Sequence, residues 1–325
     1  MNRLADKTIL LCVDGGIAAY KAADIVRRLR EAGSGVQVAM TEAAGEFIGP
    51  LTLQALSGRP VARRILDSAE DASIGHIAIA EAADVVLVAP ATADLISRLA
   101  AGAADDMVTA AMLVARCPIV IAPAMNTRMF EHPAVQGNLE RLESFGYRIV
   151  QPDYGRLACG YEGVGRLPDA EVLVDELETT LTPQDLSGVR ILVSAGPTRE
   201  AIDPVRYISN RSSGRMGYAV AGEAGRRGGR VTLISGPTAL SARRGCAVVN
   251  VETAAEMREA VRASVATADV VVMVAAVADY RPRDPKQDKL KKSRQELQLE
   301  LEATEDILSE VAKARVTRIV VGFAA

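Results

Sequence analysis

The sequence predicts an α/β protein built from two doubly wound parallel sheets, and three observations carry that expectation. Short apolar, β-branched runs alternate with stretches of helical spacing, as where Thr8 to Val13 gives way to Ile17 to Arg30. The runs end on turn-forming or polar residues, at Asp14-Gly15-Gly16, Pro90-Ala91-Thr92 and Pro123-Ala124-Met125-Asn126. Beyond the middle of the chain, Ile191 to Gly217 starts the strand, loop and helix pattern afresh. One nucleotide-type unit precedes that stretch and a second follows it.

Composition agrees. Of 325 residues 49% are apolar and only 3% aromatic, with no tryptophan. Ala, Val, Ile and Leu must therefore do the packing, as in parallel sheets covered by helices. A net charge of −3 gives no general reason to expect nucleic acid as a partner. The four cysteines (Cys12, Cys117, Cys159, Cys246) form no CxxC pair, which argues against a zinc site and a disulfide framework. The start, MNRLADKTILLCVDGG, has too short an apolar core for a signal peptide, and no run is long enough to span a bilayer. A cytoplasmic protein without a membrane partner is expected.

The first unit, residues 1–180, opens with the strand Thr8 to Val13, the turn at Gly15-Gly16 and a helix over Ile17 to Arg30. Val36 to Met40, Asp84 to Ala89, Pro118 to Ala122 and Tyr147 to Val150 read as further strands. Ligands of such sheets sit at the strand C-terminal ends. The Gly15-Gly16-Ile17 turn lacks G-x-G-x-x-G, so a single phosphate, as in FMN, suits it better than NAD; alternatively the glycines only let a strand turn into a helix. Asp14 opposes a phosphate unless its carboxylate points away or caps amides. His76, in GHIAIAEAAD, enters the side of the sheet expected to hold Asn126 and the Gly15 turn. It reads either as a base for a thiol or carboxylate or as a packing residue, and Asn126 reads either as a ligand or as a helix cap. The glycine-rich Tyr154 to Pro168 is expected to be disordered or a mobile lid. Cys159 within it is a proton donor on closure or an incidental thiol. The alanine-rich Leu99 to Val114 would allow close helix contact.

Residues 181–190 form the linker, set in the polar Thr179 to Ser187, and 191–325 the second unit. Its expected strands are Val189 to Ser194, Arg230 to Ser235, Val248 to Val251, Asp269 to Ala275 and Arg318 to Gly322. Ser212, Ser213 and Gly214 precede a helical pattern and stand among Arg199, Arg206, Arg211 and Arg215, an arrangement that points to phosphate. Lys286 to Lys292 is either a solvated loop or a triphosphate clamp.

GGIAAYK, MTEAA, the GHI histidine, APATADLI, PAMN and ACGxxGxGR, followed by AGPTRE, DPVRYISN, SSGxMG, AAVADY and a lysine cluster, run in one order along the whole chain. In this it resembles the bifunctional phosphopantothenoylcysteine decarboxylase/phosphopantothenate-cysteine ligase family of coenzyme A synthesis. The resemblance implies a flavodoxin-like first unit of the flavin-containing cysteine decarboxylase type. FMN would be held by Gly15, Gly16, Ile17, Thr41, Phe47, Pro90, Ala91, Thr92 and Met125. His76, Asn126 and Cys159 would be catalytic, with Asn126 on the substrate carboxylate and Ala158, Gly160 and Arg166 also on the substrate. Flavin would take a hydride equivalent from the cysteinyl group, the thioaldehyde would lose CO2, and the enethiolate would be reprotonated by Cys159 as the hydride returns.

For the second unit the resemblance implies 4'-phosphopantothenate, cysteine and CTP as substrates. Ala275, Asp279, Lys289 and Phe323 would hold CTP, with Mg2+ mainly on its phosphates. Arg206, Asn210, Ser212, Ser213 and Gly214 would hold phosphopantothenate; Asn210 would also assist amide formation, and Lys289 would stabilise charge as the cytidylate forms. It implies homo-oligomers too, a trimeric flavin unit and a dimeric ligase unit, up to a dodecamer, with FMN near subunit boundaries. The chain departs from the family where Cys12 and Asp14 replace glycine and serine or threonine, and where Asp105-Asp106 replaces Asn-Asp. Ending at Gly322-Phe323-Ala324-Ala325, it is expected to carry an incomplete ligase unit. Two other expectations compete: a non-catalytic flavoprotein regulatory or scaffold subunit, and a ligase-type enzyme whose first half is structural.

Overall fold

The computed structural model describes residues 3–65, 75–158, 160–291, 297–314 and 319–323. The chain divides into two compact units, Met1–Thr182 and Pro183–Ala325.

In the first unit, β1 (Thr8–Val13), β2 (Gly35–Met40), β3 (Val85–Ala91), β4 (Ile119–Pro123) and β5 (Arg148–Ile149) form one sheet in the order β2-β1-β3-β4-β5. Every pairing is parallel. This is the flavodoxin-like order, whose switch point lies between β1 and β3. Alternation along β1 explains the double winding. Ile9, Leu11 and Val13 pack on one face with α1 (Ala22–Glu31) and α8 (Ala170–Thr180). Leu10 and Cys12 pack on the other with α4 (Ala93–Ala101), α5 (Met107–Val114) and α7 (Pro133–Ser144). Three further helices, α2 (Pro50–Ser57), α3 (Gly75–Glu81) and α6 (Thr127–Phe130), complete the unit.

The structure refines several local expectations. The helix after β1 begins as a 3-10 turn over Ile17–Lys21 and becomes α-helical only at Ala22. Ile17 and Tyr20, apolar and aromatic residues within that expected helix, are each 60% exposed. The Leu99 to Val114 stretch is two helices, because Asp106 caps α5 by accepting from the Thr109 amide at 2.8 Å while Arg98 bridges Asp105 (3.2 Å) and Asp106 (2.7 Å). The glycine-rich segment is an antiparallel hairpin of β6 (Asp153–Arg156) and β7 (Glu162–Arg166).

The second unit places β8 (Arg190–Ala195), β11 (Arg230–Ser235), β12 (Ala247–Asn250), β13 (Val270–Met273) and β16 (Ile319–Gly322) in the order β12-β11-β8-β13-β16, again all parallel. Two small hairpins join it: β9 (Arg199–Ala201) with β10 (Tyr207–Ser209), and β14 (Tyr280–Pro282) with β15 (Leu301–Ala303). Helix α9 (Arg215–Arg226) covers one face, and α10 (Ala254–Val265) and α11 (Ile307–Ala314) the other. Among the described residues no helix is long and apolar enough to cross a membrane.

Candidate active site

The C-terminal ends of β1, β3 and β4 open into a cavity of about 1030 Å3, as the switch-point rule requires. Four segments wall it. The β1 turn supplies Gly15, Gly16, Ile17 and the 3-10 residues Tyr20 and Lys21. The β3 end supplies Pro90, Thr92 and Asp94; the β4 end supplies Met125, Asn126 and Met129. The hairpin supplies Arg156, Leu157, Ala158, Gly165 and Arg166. Exposure of Ile17 and Tyr20 thus has a local cause, since they face the cavity rather than the core.

The glycines that sequence reasoning read as flexible are sites of close approach. A Cβ on Gly15 would overlap Ala43, and one on Gly163 would overlap the Thr127 side chain. Gly165, at φ +144°, lies where a Cβ would collide with the carbonyl oxygen of Met125. The Met125 amide donates to the Gly165 carbonyl at 3.0 Å, so the hairpin is bonded to the turn that carries Asn126. Asn126 is both cap and wall: its Oδ1 accepts from the Arg128 amide at 2.9 Å while the residue lines the cavity.

Charge around the cavity is organised about Asp169. It accepts from Arg166 at 2.8 Å and pairs with Lys21 at 3.4 Å, and those contacts, led by Arg166, hold its carboxyl below the usual aspartate range. With Arg156, these cations make one rim basic. Asp14 does not face the cavity. Its carboxylate is buried and accepts from Thr41 Oγ1 at 3.1 Å, from the Thr92 amide at 3.2 Å and from the Thr92 hydroxyl. Cys12 packs behind the same turn, and burial, reinforced by the charge of Asp106, pushes its thiol far up.

Other expected site residues fall elsewhere. Thr41 and Ala91 are buried beneath the strand ends, and neither they nor Phe47 nor Gly160 is a wall residue. His76 lies in the first turn of α3, which packs on α5, and is not a wall residue; its Nδ1 is buried without a hydrogen-bond partner among the described residues. Cys159 lies outside the described residues, between the wall residue Ala158 and Gly160. Tyr20, Lys21 and Arg156 were missed, although Lys21 belongs to the GGIAAYK run that flagged the turn.

In the second unit, the amide of Asn210 donates to the carbonyls of Val277 (2.9 Å) and Ala276 (3.4 Å). The Ala275 amide donates to Ser194 Oγ at 3.2 Å, the Phe323 amide to the Met273 carbonyl at 3.1 Å, and the Asp279 carbonyl accepts from Thr304 at 2.9 Å. Asn210, Ala275 and Phe323 thus gather around the ends of β8, β13 and β16. Ser212, Ser213 and Gly214 lead into α9, with Gly214 at φ +75°. Two of the four arginines are engaged locally. Arg206 pairs with Asp203 at 3.3 Å and donates to the Leu290 carbonyl at 3.2 Å, while Arg199 stacks on Tyr207 at 4.7 Å. The Lys286 to Lys291 part of the basic run is tied down by Lys286, whose amide donates to Ile202 and whose ammonium pairs with Asp284; Lys289 is exposed, and Lys292 lies outside the described residues. A separate cleft of about 470 Å3, walled by Arg199, Tyr218, Ser235, Asn250 and Glu252 among others, contains none of the expected CTP residues.

The model of the flavoprotein family matches residues 2–182, and that of the DNA/pantothenate metabolism flavoprotein C-terminal domain matches residues 186–325. The coenzyme A biosynthesis bifunctional protein CoaBC of Vibrio parahaemolyticus is 50% identical over 328 residues, covering 100% of this chain and 82% of the relative. The chain belongs to the CoaBC family. The CoaBC protein of Bacillus subtilis is 46% identical, with 99% of this chain and 80% of the relative covered. Among solved structures, the FMN-dependent cysteine decarboxylase SpaF is 32% identical over 55% of this chain and 98% of its own, at a TM-score of 0.48. CoaBC membership accounts for the in-order succession of motifs through both units.

The cavity walls fit a flavin mononucleotide. The 3-10 turn starts at Gly16 without a side-chain cap, leaving its first amides for an anion, and Ile17, Tyr20 and Met129 offer apolar surface to a ring system. Asp14 leaves the cavity free, since its carboxylate is turned inward onto Thr41 and Thr92. Among the described residues there is no group of three or more His, Cys, Asp or Glu side chains placed to hold a metal.

Proposed function

We propose that the chain acts in coenzyme A synthesis and that its first unit decarboxylates 4'-phosphopantothenoylcysteine to 4'-phosphopantetheine with FMN. The observation that carries this reading is the single cavity joining the Gly15 turn, Asn126 and the hairpin, in a chain of CoaBC ancestry. When bound, FMN would supply two-electron redox chemistry at the cysteinyl carbon. The protein does the rest. Asn126, fixed by its cap bond, presents its amide to the substrate carboxylate and orients it for loss of CO2. Arg166, Lys21 and Arg156 form the rim that takes the phosphate end of the substrate. The hairpin, seated on Met125, keeps water from the reacting atoms, and Cys159 delivers the proton to the enethiolate carbon. His76, away from the wall in its own chain, serves the cavity of another copy in a homo-oligomeric assembly.

In the same reading the second unit joins cysteine to 4'-phosphopantothenate at the expense of CTP, with Mg2+ on the triphosphate. The ends of β8, β13 and β16, where Asn210 meets Val277, form the reaction centre, and Lys289 on its exposed loop reaches the cytidylate. Mass spectrometry tests the first activity. Under anaerobic conditions the native chain with FMN should form 4'-phosphopantetheine, and Cys159→Ala should accumulate an oxidised, decarboxylated product. Absence of flavin binding and of turnover in the native chain would sink the reading. Asn210→Ala should lose amide formation from CTP, cysteine and phosphopantothenate while decarboxylation is unchanged.

A further inference from the structure

Asp14 immediately precedes the Gly15-Gly16 turn, yet its side chain is only 3% exposed. Two threonines consume it. Thr41 follows β2 and Thr92 caps α4, so Asp14 links the ends of β1, β2 and β3 from below. A hydroxyl has a single proton to donate, and both threonines donate theirs to Asp14. Their oxygens in turn accept amides, from Ala44 at 3.2 Å for Thr41 and from Leu95 at 3.3 Å for Thr92. The rotamer that satisfies Asp14 turns the methyl group of Thr92 toward the turn: a Cβ on Gly16 would lie 3.4 Å from Thr92 Cγ2. An anion at this turn therefore meets backbone amides and a methyl group, with a buried carboxylate behind them.

We propose that Asp14 is a positioning residue that sets flavin selectivity. It braces the strand ends that shape the cavity and, by holding the hydroxyl proton of the wall residue Thr92 and its own negative charge behind the turn, removes most of the advantage that a flavin phosphate would gain there. FMN and riboflavin then bind with comparable affinity. The proposal rests on the flavin reading given above and adds to it which part of the flavin supplies the affinity. A neutral hydroxyl at position 14 would release the hydroxyl proton of Thr92, the one of the two threonines that walls the cavity, and remove the repulsion, and phosphate would regain its hold.

The test titrates flavin-free full-length protein with FMN and with riboflavin, following flavin fluorescence, for the native chain, Asp14→Ser and Asp14→Asn. Thermal unfolding without flavin serves as the control for folding. The native chain should prefer FMN by less than about tenfold. Asp14→Ser should raise that preference by about tenfold or more through FMN alone, leaving riboflavin within about twofold, and Asp14→Asn should fall between. An unchanged ratio in Asp14→Ser overturns the proposal, as does a native chain that already prefers FMN by about a thousandfold. Parallel weakening of both flavins would assign Asp14 a structural role only and overturn it too. If Asp14→Ser does not fold, the ratio for Asp14→Asn decides. If no variant, the native chain included, binds either flavin, the flavin reading falls together with the proposal, a result distinct from an unchanged ratio.

Discussion

The amide of Met125 and the carbonyl of Gly165 meet at 3.0 Å, and through that bond the hairpin is anchored to the turn that carries Asn126. Gly165 holds φ +144° and has no room for a Cβ beside the Met125 carbonyl. Gly165→Ala should therefore unseat the hairpin at a local cost of about 1–3 kcal/mol. We expect kcat/KM for decarboxylation to fall by about 10- to 100-fold while flavin absorbance and overall unfolding change little. A variant with native kinetics would show that the hairpin need not dock for turnover.

Asn126 combines a cap with a cavity wall, and two substitutions separate the duties. Asn126→Asp keeps an acceptor for the Arg128 amide, so stability should move by only a few tenths of a kcal/mol. Its carboxylate would repel the substrate carboxylate, and decarboxylation should collapse. Asn126→Ala should also lose activity but in addition cost about 1 kcal/mol as the cap is lost. Equal activity of the two variants with the native chain would reduce Asn126 to its capping role.

Asp203 connects the 203–206 loop to the basic segment through the amides of Val205 (2.8 Å), Arg206 (2.8 Å) and Leu290 (3.2 Å). Burial pushes its carboxyl up, but these amides and the Arg206 guanidinium outweigh it and the net shift is downward from the ordinary 3.8. A depressed carboxyl stabilises the fold above its unfolded-state value, and that contribution is lost as the pH drops through the folded-state value. The second unit should thus lose stability on acidification below about pH 4, and Asp203→Asn should flatten that dependence. Chemical unfolding midpoints across pH 2.5 to 7 would reveal either slope.

Burial raises the thiol pKa of Cys12, helped by Asp106, and also that of Cys117. Neither should carry thiolate at neutral pH. Peptide mapping after brief iodoacetamide treatment of the native protein at pH 7.5 should find both unmodified. Rapid alkylation of Cys12 would mean that β1 is far less firmly packed than its fully buried side chains indicate.

Much of the fold was legible because apolar runs such as Thr8 to Val13 are buried on both faces, and runs of that kind announce parallel strands whatever their order. The site was legible where glycine, proline and asparagine end those strands. The hairpin was not, since its glycines serve close approach to Met125 and Thr127, partners about 40 residues away that no local pattern reveals. Ile17 and Tyr20 misled for a related reason: an apolar side chain facing a cavity has the same spacing as one facing a core. His76 was assigned to the site from its place in the chain and from the family resemblance, and the structure puts it on α3 against α5.

The two crowded hairpin glycines differ in what crowds them, and a saturation library would tell them apart. The obstacle at Gly163 is the side chain of Thr127, so larger residues there should be rescued when position 127 is cut back to alanine. The obstacle at Gly165 is a main-chain carbonyl, which every residue at position 125 also possesses. One position can drift in concert with a neighbour over evolutionary time, whereas the other has no second-site suppressor among side chains.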